Sequence, residues 1–557
     1  MKNLSSFLIV SPLKVLFIIF VLMYALVLLI NVQLGADIDG AFLRTLQIGK
    51  PLLAFSDDYP YSDQIALGRW TPMVNMEYNF IGLFSRSPNP FWYYFYHVIQ
   101  FVLFVFLLIK LLSRTNFRKN LIYGAIIILI LLPSSVLGWF RLSFPERNVL
   151  FFFVVFLLAY LSFAKSQKIW NFLLVLGAAN LAIYYKEISF LAFGVFAIAH
   201  LIFLMKKGKP RKIEMALDGL IVLSSAVYLL LYYFIVYQNS SLTYLPHVFS
   251  LISRIKVFAN YAFFSDSILV LILLPLTIWR LYKIFTKRAE IEPIWDAILL
   301  GASAYIGSFF ILNLYGPYYL LPAYGLGLPA ILYFFKDYSL KTLPLFFKIA
   351  SGVTIFCLVF NAIPSGLYYL TYNKYYPVNF NKTADFLVED INARAEKEPE
   401  RKPSIFIYGV GTDSETFQGV YFLWYDFFDH KGLNTAKYDM KTDVQTTTDY
   451  ASFSKIRPPF AVFEPHPAAT PESGDYLLLV PSKSIISVDL KTIGNIKKGY
   501  DLIFETKSPL AFPNINLKTF VKYFLGKKIN EGKMKNLITN KNDNFGILPN
   551  FYIFRKI

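Results

Sequence analysis

The chain has 557 residues, of which 56% are hydrophobic and only 16% are charged. Soluble globular domains carry about 25% charged residues, so this composition excludes an ordinary soluble protein. The net charge of +18 comes largely from Lys and Arg in short loops between apolar blocks, a pattern that indicates membrane topology rather than nucleic-acid binding. Cys357 is the only cysteine, which excludes a disulfide within the chain.

Apolar blocks with the length of a membrane span follow one another over the first two thirds of the chain. A helix needs roughly 17–25 mostly apolar residues to cross a bilayer. The first block is interpreted as a retained helix, because the residues after it form a poor signal-peptide cleavage site. The sequence therefore predicts a polytopic α-helical membrane protein with about eleven transmembrane helices. They lie at about 15–32, 91–112, 121–138, 148–164, 169–184, 188–205, 216–236, 266–284, 295–313, 317–335 and 344–364.

Basic residues cluster in alternate loops between these spans. Cytoplasmic loops of membrane proteins are enriched in Lys and Arg, and a cytoplasmic N-terminus would place all of these loops on that side. An odd number of spans then exports the C-terminus. We predict a multi-pass protein of a plasma membrane, the inner membrane of a bacterium, with its C-terminal domain outside. The basic loops lie at 114–119, 165–168, 206–212, 280–288 and 336–341.

The composition divides the chain into two domains. Residues 1–371 form the predicted transmembrane module, whose first extracytoplasmic loop, 33–90, is expected to contain amphipathic helices. Residues 372–557 have the composition of a soluble domain. A helical period at 381–397 and apolar runs at 403–413 and 475–483 predict an α/β domain outside the membrane.

Acidic residues are concentrated in the first outer loop. Asp37 and Asp39 lie beside the membrane boundary, where a carboxylate is costly unless it serves a solvated working site. Either would serve as a general base toward a hydroxyl group, whereas the alternative is a helix cap for the segment at 41–50. Asp58 lies among turn-forming residues, and a surface turn is the favoured account of it.

Two short outer turns hold the next candidate residues. The turn at 139–148 contains Arg141, Glu146 and Arg147, and the turn at 184–187 contains Lys186 and Glu187. Arg binds a phosphate through two parallel hydrogen bonds and Lys binds it as a point charge, so these turns would suit a lipid phosphate. The alternative is ordinary snorkelling and salt bridging at helix ends.

The segment at 313–329 combines tyrosines with prolines and glycines. Three prolines within one apolar block predict a broken helix, whose freed backbone groups need neighbours or a wet cavity. Tyr318 and Tyr319 would stack on a sugar or line a lipid groove, and an interfacial aromatic belt explains them equally well.

The sequence gives little sign of a cofactor. The five histidines are scattered, and no Cys/His spacing typical of a metal site is present. No cofactor is predicted, although the outer-loop carboxylates leave a divalent ion with water ligands open.

Together, these motifs resemble the membrane glycosyltransferases of the GT-C fold. The resemblance covers about the first 370 residues. It rests on the acidic sequence Asp37-Ile38-Asp39-Gly40 after the first helix, the amphipathic segment that follows, GRWTPM at 68–73, Lys186-Glu187 and YGPYYLLP at 315–322. Relatives often show Asp-Glu where this chain has Asp-Ile-Asp, so the choice between Asp37 and Asp39 stays open.

The resemblance implies a function and a role for each candidate residue. The donor would be a sugar linked to polyprenyl phosphate, and the acceptor a glycan, lipid or protein of the cell envelope. Asp39 or Asp37 would act as the base of an inverting transfer, and Arg141, Arg147 and Lys186 would bind the donor phosphate. The supporting or substrate-binding residues would be Glu187, Glu146, Asp58, Arg69, Glu77, Tyr318 and Tyr319.

Other classes of membrane protein remain as alternatives. A polymerase or ligase of lipid-linked glycans would centre on a large outer loop late in the chain, whereas here the early loop dominates. A transporter would show paired broken helices in two repeated halves, together with charges in mid-membrane. The sequence indicates one broken helix and no repeat.

Overall fold

A computed structural model describes most of the chain. Asp37, Asp39 and Asp58 lie outside the described residues. Those residues are 12–34, 68–83, 89–208, 211–238, 251–339, 341–408, 424–425, 427–441, 469–480, 499–517, 519–520 and 549–557.

The first part of the chain is a series of helices joined by short turns. Asn89 caps the third helix by accepting a hydrogen bond from the backbone N–H of Phe91, and Pro90 fills its first position. Gly208 ends another helix in the left-handed conformation, with a φ of 74°. The helices are α1 (Pro12–Leu29), α2 (Met76–Gly82), α3 (Pro90–Ser113), α4 (Lys119–Leu131), α5 (Pro133–Phe140), α6 (Glu146–Ser166), α7 (Ile169–Tyr185), α8 (Ser189–Lys207) and α9 (Lys212–Tyr232).

The second helical series contains several π-helical turns. One such turn, at Tyr233–Tyr237, extends α9, and another, at Tyr261–Ser265, follows α10. A third turn, at Leu269–Leu273, precedes α11. A fourth, at Leu358–Ala362, joins α14 to α15. The helices are α10 (Leu251–Asn260), α11 (Leu274–Phe285), α12 (Pro293–Ile311), α13 (Ala323–Phe335), α14 (Leu345–Cys357) and α15 (Ile363–Lys397).

The prediction of a polytopic helical membrane protein is confirmed. Seven helices of the described residues are long and apolar enough to cross a membrane, or nine if each of two bent helix pairs forms one span. The shorter apolar helices α7 and α13 occupy the remaining two predicted positions. The predicted span at 317–335 is helical only from Ala323 onward, and α13 continues through Pro329 without a break.

The two bent pairs meet inside the bundle. Helices α4 and α5 form an angle of 65° at Leu132, where the following Pro133 prevents continuation of α4. The segment 251–265 forms an angle of 112° with 269–285. Ser134 at the first bend donates a hydrogen bond to Asp266 at the second, over 3.2 Å.

The final helical segment passes through the predicted domain boundary. It runs without interruption from Leu345 to Lys397, over 53 residues. The sequence placed the end of the last span near 364 and a domain boundary at 371/372, and the helix continues through both positions. The two predicted domains therefore share one helix.

A small mixed sheet follows this helix. The strands have the order β2-β1-β3-β5-β4; β1 pairs in parallel with β2 and β3, and β5 pairs antiparallel with β3 and β4. The two predicted buried strands, 403–413 and 475–483, contain β1 and β3. The strands are β1 (Ser404–Tyr408), β2 (Asp439–Lys441), β3 (Tyr476–Leu479), β4 (Tyr500–Glu505) and β5 (Tyr552–Lys556).

Candidate active site

Aromatic packing fixes the segment that carries Arg69. The Trp70 ring stacks on Tyr228 of α9, with ring centroids 5.2 Å apart, and meets Tyr184 of α7 edge-on. The Tyr228 hydroxyl donates to the carbonyl of Trp70 over 2.7 Å. Gly68 has a φ of 84°, which suits glycine, and its carbonyl accepts a hydrogen bond from Tyr232. This part of the first outer loop is therefore held against the ends of α7 and α9.

Arg69 forms the most accessible ion pair of the site. Its Nε donates to Oε1 of Glu187 over 3.0 Å, and the two side chains are 26% and 19% exposed. Burial raises the pKa of Glu187, but the charges of Arg69 and Lys186 outweigh it and hold this pKa below its usual range. Glu187 is thus an anion that holds the Arg69 guanidinium in place.

Lys186 forms a second, buried ion pair next to the first. Its Nζ lies 2.9 Å from Oε1 of Glu146, and both side chains are almost completely shielded from solvent. The same Nζ lies 4.9 Å from the centre of the Tyr319 ring. Glu146 is the first residue of α6, where the helix dipole favours a negative charge.

The third pair, Arg147 with Glu77, is the most completely bonded. Arg147 Nη2 donates to Oε1 of Glu77 over 2.9 Å and to the Tyr78 hydroxyl over 2.6 Å. Its Nη1 donates to the backbone carbonyls of the turn at 141–144. Glu77 also accepts from Asn148 over 2.8 Å and from Tyr185 over 2.9 Å. Both η nitrogens of Arg147 are therefore used inside the protein.

These hydrogen bonds indicate a different role for Arg147 from the one that the sequence suggested. The sequence suggested a phosphate ligand, but the guanidinium is buried and its η nitrogens bind protein groups. Replacing those bonds by a lipid phosphate would leave Glu77 buried without its counter-charge, which is costly. Arg147 instead ties the short helix α2 to the turn that carries Arg141.

Aromatic side chains line the cluster on its other side. The Tyr318 ring stacks on Phe144 with centroids 3.9 Å apart and meets Tyr319 at 4.7 Å. The Arg141 guanidinium carbon lies 5.1 Å from the centre of the Phe144 ring. Phe144 therefore joins Arg141 to the tyrosine-bearing segment.

The fold brings the predicted residues of four separate segments into one cluster. Asp37, Asp39 and Asp58 are the predicted site residues that lie outside the described part of the chain. The cluster consists of Arg69, Glu77, Arg141, Glu146, Arg147, Lys186, Glu187, Tyr318 and Tyr319.

Sequence reasoning missed several polar groups that support this cluster. The Tyr78 hydroxyl lies 2.7 Å from Nε2 of His97, and Nδ1 of His97 lies 2.9 Å from the carbonyl of Trp139. Tyr185 directly precedes the predicted site residue Lys186, and Asn148 directly follows Arg147. Their partner, Glu77, lies 108 and 71 residues away in the chain, so no local pattern reveals these bonds.

The described residues contain no cluster of side chains typical of a transition-metal site. Among them, no three His, Cys, Asp or Glu side chains lie close enough together to share one. The absence of a cofactor stays a prediction, because several outer-loop carboxylates lie outside the described residues.

A comparison with solved structures finds a protein of similar helical architecture. It is ArnT from Cupriavidus metallidurans, whose crystal structure contains undecaprenyl phosphate; the match has 11% sequence identity and a TM-score of 0.41, and covers 88% of this chain and 96% of that chain. No family model and no curated protein matches the sequence. What this chain does must therefore be argued from its own residues.

Proposed function

We propose that the chain is a membrane glycosyltransferase of the GT-C type. It would move a sugar from a polyprenyl-phosphate donor to a glycan, lipid or protein of the cell envelope. The observation that carries this proposal is the cluster itself. Three ion pairs from separate loops, flanked by two tyrosines, meet at one end of a bundle of apolar helices. Ionisable groups held at membrane depth are rare and tend to mark substrate sites.

Arg69 and Lys186 are the residues best suited to hold the donor phosphate. The Arg69–Glu187 pair is partly exposed, so a phosphate can approach the guanidinium without unfolding the site. A guanidinium that binds a carboxylate also fits a phosphate, through the same fork of N–H groups. Lys186 lies in the adjoining pair and would add a point charge. Arg141, beside Phe144, is the third candidate cation.

The proposed reaction is an inverting displacement. The acceptor hydroxyl forms a bond to the anomeric carbon while the bond from that carbon to the phosphate oxygen breaks. Asp39 or Asp37 takes the hydroxyl proton, and polyprenyl phosphate leaves with the electron pair of the broken bond. Arg69 and Lys186 stabilise the negative charge that grows on the departing phosphate.

The remaining residues would shape the site rather than react. Arg147 and Glu77 position α2 and the turn that holds Arg141. Tyr318 and Tyr319 are half-buried at the edge of the cluster and would line the sugar-binding side of the site. We place the site at the extracytoplasmic face of a bacterial inner membrane, where the donor arrives laterally from the lipid and a nucleotide site is unnecessary.

The test is release of free polyprenyl phosphate by the purified chain in lipid nanodiscs. Undecaprenyl-phosphate sugars and cell-envelope extracts would serve as donors and acceptors. We expect Asp39→Asn or Asp37→Asn to abolish release. Arg69→Lys keeps the positive charge but removes the paired N–H groups of the guanidinium. The KM for the donor should therefore rise about tenfold, equivalent to ~1.4 kcal/mol.

Lys186→Ala has a matched control at another helix end. Lys336 also lies over a tyrosine ring, with Nζ 4.0 Å from the centre of Tyr333. Lys336→Ala should retain wild-type turnover, whereas Lys186→Ala should lose most of it. Equal activity of the two variants would remove Lys186 from the site. Turnover unaffected by both Asp substitutions would remove the proposed base.

A further inference from the structure

A second polar cluster lies inside the bundle, apart from the three ion pairs. It forms where the two bent helix pairs meet, with Asp266 at the 112° bend and Ser134 at the 65° bend. The Asp266 side chain is completely buried. An ionisable group within a membrane bundle normally has a function and an identifiable partner.

The Asp266 carboxylate is only partly bonded. Oδ1 accepts one hydrogen bond, from the Ser134 hydroxyl over 3.2 Å. Oδ2 has no hydrogen-bond partner among the described residues. No lysine or arginine of the described residues forms an ion pair with Asp266 either.

Several hydroxyl groups near this carboxylate are incompletely bonded. Those of Ser265 and Tyr324 lie beside the carboxyl group, yet within the described residues neither completes a hydrogen bond of good geometry. The same is true of the buried hydroxyls of Ser135 and Ser267, each next in sequence to a member of the cluster. A buried polar atom without a protein partner requires an explanation, and an ordered water or an ion at that position supplies one.

The helix breaks favour an ion. Interrupted helices inside membranes expose backbone carbonyl groups, and in secondary transporters such breaks coordinate sodium ions or protons. A single carboxylate with hydroxyl oxygens supplies hard oxygen ligands and one negative charge, so a cation of charge +1 leaves the buried site neutral. We propose that Asp266, Ser134, Ser265 and Tyr324 bind a sodium ion that locks the two bent helix pairs together. This site is independent of the proposed glycosyl transfer.

Binding of radioactive ²²Na⁺ to the purified full chain in detergent tests the proposal. We expect saturable binding of about one ion per chain, displaced by unlabelled Na⁺ and not by choline. Asp266→Asn should abolish it. Ser134→Ala removes one neutral ligand and should weaken binding about tenfold. Asp501→Asn changes an exposed acid of β4 and should bind as the wild type does.

Each outcome decides the question. Absence of saturable binding to the wild type would overturn the proposal and leave ordered water as the occupant. Unchanged binding by Asp266→Asn would place the ion elsewhere and overturn it as well. If Asp266→Asn elutes as an aggregate in gel filtration, Ser134→Ala decides, because wild-type affinity in that variant contradicts the site.

Discussion

The carboxylate of Glu77 joins three helices through its two oxygens. It accepts from Arg147 and Asn148 of α6 and from Tyr185 of α7, while its own backbone belongs to α2. We expect Glu77→Gln to destabilise the protein by about 3 kcal/mol, because the Arg147 guanidinium is left buried without its counter-charge. Thermal unfolding in detergent, followed by the loss of monodisperse protein, measures this effect.

An exposed ion pair provides the control for this substitution. Lys431 lies 2.5 Å from Asp385, whose side chain is 53% exposed. Asp385→Asn should change stability by less than about 1 kcal/mol, since water already screens such a pair. Equal destabilisation by the two substitutions would contradict the structural role assigned to Glu77.

Lys374 is expected to be unusually reactive. It lies beyond the predicted end of the last span and shares a narrow cleft with Tyr94, Phe140 and Asn31. Burial lowers the pKa of Lys374 to about 8, because the charged ammonium loses its water. Acetylation read by mass spectrometry should therefore reach its half-maximal rate near pH 8. A midpoint at the ordinary value of a lysine side chain, about 10.4, would contradict this prediction.

The types of residue in the candidate site were predictable, and their partners were not. A charged residue in a tight turn between apolar blocks is conspicuous in the sequence, which is how Lys186 and Glu187 were found. The pairing of Arg69 with Glu187 spans 118 positions. The packing of Trp70 against α7 and α9 and the hydrogen bonds beside it bring them together, and no local pattern encodes these contacts.

At the scale of whole helices, one close approach involves Gly366 of α15. A Cβ atom at this position would overlap the carbonyl oxygen of Leu131, at the bend between α4 and α5. That atom belongs to the backbone, so it has little freedom to move. We expect Gly366→Ala to lower the melting temperature by several degrees, the size of shift that follows a loss of about 1–3 kcal/mol through overpacking.

Gly352 is the matched control, because it lies in the same continuous helical segment. A Cβ at Gly352 meets no other atom within 4 Å. Gly352→Ala should leave the melting temperature unchanged or raise it slightly, since alanine favours a helix by about 1 kcal/mol over glycine. If the two alanine variants melt alike, the close contact between α15 and the bend does not exist.

The membrane spans were predictable from apolar length, whereas two features of the helices were not. The bend after Leu132 is signalled by Pro133, but the sharper bend at Asp266 contains neither proline nor glycine. Ser and Asp have a lower helix propensity than Ala or Leu, but no residue at 265–267 requires a break. The extension of α15 beyond 364 was missed because the hydropathy falls while the helical period continues.

For the molecule as a whole, the orientation in the membrane stays a prediction. Single cysteines can be placed in a Cys357→Ser background, since Cys357 is buried and free. The basic loops favour a cytoplasmic side that includes Lys168. In intact cells, a membrane-impermeant maleimide should label Ser473→Cys, an exposed position before β3, and should spare Lys168→Cys.

Permeabilised cells complete this experiment. Both cysteines should then react, because both side chains are exposed in the structure. The reverse pattern in intact cells, with Lys168→Cys labelled and Ser473→Cys spared, would invert the topology. It would also place the ion-pair cluster on the cytoplasmic side.

The uninterrupted helical segment from Leu345 to Lys397 fixes a distance. Its 53 residues correspond to about 80 Å at 1.5 Å per residue, and a bilayer core takes up only about 30 Å of that length. The same segment contacts the bend at Leu131, and its Asp390 accepts a hydrogen bond from Arg555 of β5. Inserting one residue after Tyr372 would raise the sheet by about 1.5 Å and turn it by about 100°. The length of this segment thus sets both the distance of the sheet from the membrane and the direction in which its side chains point.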